Sequence, residues 1–141
     1  MSRITTLFLM LISITTSFGQ TETEENTIDI HLKECLDSTE NQTTYGMIKC
    51  SIRAGDAWDK ELNKYYKLLM KALTADEKEK LINSQKKWIV YRDSEIEFTR
   101  TIYDNLQGTM WRIVSADRQT EITRQRVLEL KEYVGNIPEG K

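Results

Sequence analysis

The sequence predicts an all-α protein: an antiparallel bundle of three long helices, plus a short N-terminal helix joined to it by a disulfide. Three observations carry this. The 141 residues include one proline and six glycines against abundant Glu, Lys, Leu and Gln, a balance that favours helix over sheet. Apolar residues recur at steps of three and four along three long segments. Short polar breaks separate those segments, and short breaks force neighbouring helices to run antiparallel.

The first 19 residues stand apart. Arg3 precedes the apolar run Leu7–Ile14, and Ser17-Phe18-Gly19 puts small residues where a signal peptidase reads. The stretch reads as a secretory signal peptide with cleavage before Gln20, too short for a membrane span. Export to the periplasm or medium is expected, with no stable membrane span in the mature form. Residues 20–27 read as a flexible acidic leader. The helical domain is expected over 28–134, and 135–141 as a C-terminal tail. One domain is all that this length supports.

Each helix has its own signals. Asn26 or Thr27 can cap a first helix over 28–37, with Ile28, Leu32, Cys35 and Leu36 near one face. Residues 38–42 read as a connection. The second helix is expected over 44–73, with the apolar line Met47, Cys50, Ala54, Trp58, Leu62, Tyr65, Leu69 and Leu73. Gly55 within it suggests a close packing approach or a kink. Thr74 with Glu77 forms a capping-box pattern that starts a third helix over 75–106. There Leu81, Trp88 and Phe98 lie broadly along one face, with Ile82, Ile89 and Ile96 beside them. Gly108 suits a positive φ and Thr109 a cap, opening a fourth helix over 110–134 lined by Ile113, Ala116, Thr120, Thr123, Val127, Leu130 and Val134. The tail Gly135-Asn136-Ile137-Pro138 stops it.

The two cysteines, Cys35 and Cys50, are the only ones in the chain. In an oxidising compartment they read as a disulfide, worth about 3 kcal/mol for so short a loop. A metal site from His31, Cys35 and Cys50 lacks a fourth ligand at any known spacing. No cofactor is implied, because phosphate-cradling glycine loops and dinucleotide fingerprints are absent from the sequence. Nor is an enzyme: the single histidine sits on the short first helix, and paired carboxylates such as Asp93 and Glu97 read as solvated helix surface. The formal net charge of −2 and the scattered basic residues argue against nucleic acid.

The polar residues around the second turn are more informative. Asn63 lies eleven residues before Thr74 and Gln85 eleven after it, so a tight hairpin brings them to similar heights. Tyr66 and Trp88 lie close by on the same helices. Arg92 follows Trp88 by four and can fold over its ring or pair with an acid. These residues can form a polar seam that fixes the hairpin register, or a partly exposed docking surface for a partner.

The segment Leu62-Asn63-Lys64-Tyr65-Tyr66-Lys67-Leu68-Leu69, followed by Leu81 and Gln85-Lys86-Lys87-Trp88-Ile89-Val90-Tyr91-Arg92-Asp93, resembles the LprI-like lysozyme inhibitor family. Cys35, Met47, Cys50, Asn63, Tyr66, Gln85, Trp88, Arg92 and Asp93 match its pattern. Gly108-Thr109-Met110 and Thr123-Arg124-Gln125-Arg126 with Leu130 resemble its C-terminal helix. The family commonly carries a second cysteine pair, whose expected places near Ile96 and Arg118 hold none here. The resemblance implies an exported helical binding protein that inhibits lysozyme-like muramidases by covering the cleft. The alternative is a cell-envelope structural or adaptor protein that binds an envelope component and inhibits nothing.

Overall fold

The computed structural model describes residues 26–138; the expected signal peptide and most of the leader lie outside them. Four α-helices follow one another: α1 (Thr27–Asp37), α2 (Thr44–Ala72), α3 (Ala75–Asp104) and α4 (Met110–Asn136), with a single 3-10 turn at Thr39–Asn41. No strand occurs among the described residues.

Local chemistry sets each boundary. The Asn26 side chain accepts from the Ile28 amide at 2.9 Å and so caps α1. Thr43 caps α2 in the same way through the Gly46 amide, 3.0 Å away. Gly46 has a second role: a Cβ there would lie 2.6 Å from the Asn41 backbone, so only glycine lets the 3-10 turn fold against the start of α2. Thr74 and Glu77 form the expected reciprocal capping box at the start of α3. Gly108 takes φ +105° between α3 and α4. Thr109 stands at the N-cap of α4, but its side chain makes no capping bond because its own backbone is already helical. The last helix continues two residues past the expected end and stops before Pro138.

The partners across helices define the topology. Tyr103 stacks on Trp111, Glu95 pairs with Arg118, and Gln85 meets Arg126, so α3 and α4 run in opposite directions. Thr120 reaches Ser51 and Arg124 lies over Trp58, so α2 and α4 run side by side in the same direction. The core is Trp58, Leu62, Leu69, Leu81, Val127 and Leu130, with Trp58 and Leu130 fully buried. Most of it comes from α2 and α4.

Small residues let α2 and α4 approach. The Thr120 hydroxyl donates to the Ser51 carbonyl at 2.9 Å, and a Cβ on Gly55 would lie 3.1 Å from that same oxygen. Gly55 thus marks a close approach, and the helix runs through it unbroken. The first helix buries no residue completely and is tied on from outside. Cys35 and Cys50 form the disulfide, with Cα atoms 5.8 Å apart. Asp29 accepts a bidentate pair of bonds from Arg124 at 2.9–3.1 Å, which holds that guanidinium even more firmly protonated than usual.

Candidate functional site

The third helix is attached differently from the second. Its only buried residues are Leu81, near the hairpin turn, and Thr99. Between and beyond them, polar ties hold it to α4. Arg126, almost wholly buried, donates to Gln85 Oε1 and Ser84 Oγ, each at 3.2 Å, and to Glu129 at 2.8 Å. Arg118 pairs with Glu95 at 3.2 Å, and Arg100 donates to Gln119 at 3.3 Å. Long polar side chains keep two helices further apart than alanine, serine and threonine do. As a result α3 stands off from α2, and a groove runs between them, floored by α4 in the part away from the hairpin.

The groove has two parts. Near the hairpin, Asn63 and Tyr66 of α2 face Ile82, Gln85, Trp88 and Ile89 of α3 around a cavity of about 410 Å³. Towards the other end, Ile48, Ile52 and Asp56 face Asp93, Ile96 and Arg100 around one of about 510 Å³. Small residues of α4, among them Ser115, Ala116 and Thr120, form the floor there. Asp59 and Arg92 line both parts and join them.

All six residues singled out around the hairpin therefore line this groove, but they do not bond to one another as one seam. Asn63 donates to the Asp59 carbonyl of its own helix at 2.8 Å. Gln85 is turned to Arg126 on α4. The Arg92 guanidinium lies 5.3 Å from the Trp88 ring centroid and also pairs with Asp93 at 2.8 Å, so both contacts expected of it occur together. Tyr66 and Trp88 are half-buried against the core with one side towards the groove.

Charge in the groove is unevenly matched. Arg92 is neutralised by Asp93, whereas Arg100, bonded to the neutral Gln119, and Arg112 keep their charge on the α3 and α4 sides. Asp56, Asp59 and Asp104 have no partner among the described residues. The sequence reading missed Asp56, Asp59, Ile48 and Ile52. A signal existed: Ile52, Asp56, Asp59, Asn63 and Tyr66 step by three and four along α2, one stripe beside its apolar line. Arg126 was singled out only through the likeness of Thr123-Arg124-Gln125-Arg126 to the family's C-terminal helix; its burial was not foreseen, because one arginine among several on α4 gives no sign that it will be enclosed.

No group of three or more His, Cys, Asp or Glu able to hold a metal occurs among the described residues. His31 is exposed beside the disulfide, and both cysteines are bonded. No described helix is long and apolar enough to cross a membrane.

A sequence model of the family described as Lysozyme inhibitor LprI matches residues 35–130. An uncharacterized protein of Rhizobium meliloti (strain 1021) is 32% identical over 98 residues, covering 60% of this chain and 69% of its own length. The fold is similar to the crystal structure of an uncharacterized protein from Burkholderia thailandensis, with a TM-score of 0.75 and 30% identity. That match covers 80% of this chain, which spans 56% of the other.

Proposed function

Because the chain belongs to the LprI lysozyme inhibitor family, a family of inhibitors rather than enzymes, we propose that it inhibits a lysozyme-like muramidase by occluding its cleft, with the α2–α3 groove as the docking face. The protein acts after export, once the leading segment is removed near Gly19-Gln20, and it needs no cofactor. The observation that carries the reading is a pair of carboxylates without a partner among the described residues, Asp56 and Asp59, set beside the apolar surface of Ile48, Ile52 and Ile96 on the α2 side of a mixed-charge groove. Lysozyme is a basic enzyme. Opposite charge speeds encounter, and the apolar residues supply contact area once the surfaces meet. A groove can grip a basic lip of the enzyme while the bulk of the bundle stands across the cleft.

The test is a titration of the oxidised protein against several lysozyme types while cell-wall lysis is followed. The expected result is stoichiometric loss of activity for at least one type, weakened by added salt. The double variant Asp56→Lys, Asp59→Lys should remain folded and inhibit at least about tenfold less well. Failure of the folded protein to inhibit any type at high excess would overturn the reading and leave the envelope adaptor in its place.

A further inference from the structure

The hairpin-side half of the groove shares Asp59 and Arg92 with the other half but has a different lining. Its polar groups are reachable but unengaged. The Trp88 indole N–H, the Tyr66 hydroxyl and the Lys86 ammonium have no protein partner among the described residues. Gln85 accepts from Arg126 through Oε1, which fixes the amide and leaves its NH2 without a partner. Asn63 spends its NH2 on the Asp59 carbonyl, which leaves its own Oδ1 as a fixed acceptor. The Asp59 carboxylate is likewise unpaired.

Three properties of this pocket select a ligand class. Its formal charge balances: Asp59 offsets Lys86, and Asp93 already offsets Arg92. A phosphate or a polyanion therefore gains little there. The wall carries both donors (Trp88, Gln85, Lys86) and acceptors (Asn63, Asp59), so an apolar ligand would strand them unsatisfied. Half-exposed aromatic and isoleucine surface (Tyr66, Trp88, Ile82, Ile89) lies among those groups. A sugar ring has this same make-up: hydroxyls that both donate and accept, set around an apolar C–H face. The volume, about 410 Å³, is within the range of small-ligand pockets and too small for a folded partner.

We infer that the pocket formed by Asp59, Asn63, Tyr66, Gln85, Lys86 and Trp88 binds a short neutral saccharide. The inference stands apart from inhibition, since it needs no enzyme. Neutral sugars bind open pockets weakly, because each hydroxyl must exchange water for protein.

The chain has three tryptophans, and their indole N–H signals can be followed separately by nuclear magnetic resonance. Triacetylchitotriose titrated into the oxidised protein should shift the Trp88 indole saturably, with a midpoint on the order of 1 mM. The fully buried Trp58 and the Tyr103-stacked Trp111 should not move. Tyr66→Phe and Asn63→Ala keep the packing and should each weaken the midpoint by about threefold or more. The inference is overturned by any of three results: no saturable shift at tens of millimolar, a common drift of all three indoles, or variants that bind like the parent. An equal shift with the dipeptide Ala-Ala would also overturn it and make this a peptide pocket.

Discussion

The two long faces of α2 meet their neighbours by opposite means. Towards α4, the contact is dry and close, built on Ala54, Gly55, Trp58, Leu62 and Leu69 against Thr120, Val127 and Leu130. Towards α3 it is wide and polar, and the space between fills with Asp56, Asp59, Asn63, Tyr66, Gln85 and Arg92. The bundle is thus a pair of helices with a third propped alongside. Stability resides in the pair, and the prop leaves concave surface for binding. Substitutions should therefore sort by face: those in the seam cost the most folding free energy, and those in the groove cost less and chiefly change binding.

The largest effect expected tests that division with two tryptophans. Trp58 is 0% exposed in the seam, so Trp58→Ala should cost about 3–5 kcal/mol in chemical denaturation. Its indole N–H is buried without a partner among the described residues, so Trp58→Phe should cost distinctly less than the lost ring area alone implies. Trp88 borders the groove and is half-buried; Trp88→Ala should cost about 1–2 kcal/mol. Equal losses at the two positions would show that α3 is as much a part of the core as α4.

The same division separates what was legible in the sequence from what was not. The seam face of α2 was readable because Cys50, Ala54, Trp58, Leu62 and Leu69 keep helical spacing without interruption. The Thr74 capping box and the Cys35–Cys50 bond were readable because each depends on a few near residues. The third helix misled. Phe98 was expected on the inner face with Leu81, yet it is 60% exposed, and Thr99 is buried instead. Eighteen residues make about five helical turns, so Thr99 returns to the azimuth of Leu81 while Phe98 falls about 100° short. The groove itself depends on how far apart α4 holds its two neighbours. That distance is set by pairs such as Gln85–Arg126 and Glu95–Arg118, 41 and 23 residues apart in the chain. Such pairs leave no local periodicity to read.

A double-mutant cycle examines how tight the seam is. Gly55→Ala in an exposed helix would stabilise by about 1 kcal/mol. Here the new methyl lies 3.1 Å from the Thr120 hydroxyl, which is pinned by bonds to the carbonyls of Ser51 and Ala116. The single variant should therefore lose about 1 kcal/mol, while in a Thr120→Ala background the same change should become neutral or stabilising. The cycle is read from four denaturation midpoints. Stabilisation by Gly55→Ala alone would mean that α4 yields, and that the seam is no more rigid than the groove.

The smallest effect expected concerns a carboxylate on α4 that lines neither part of the groove. Burial holds Asp117 above its ordinary value near 3.8, and the neighbouring Glu121 adds to the rise. A carboxyl whose folded value is raised contributes stability below the unfolded value and loses it as pH rises through the folded one. At neutral pH the charged Asp117 is thus a slight burden on the folded state, and Asp117→Asn should raise the thermal midpoint a little. Solvent reaches this side chain, so screening keeps the gain small. The gap between variant and parent should close as pH falls through the carboxylate range, where the parent is neutral in both states. A gap that persists unchanged at low pH would assign the effect to something other than charge. Variants of Asn63 on the groove wall should show neither the gain nor its pH dependence, because its amide does not titrate and bonds only within its own helix.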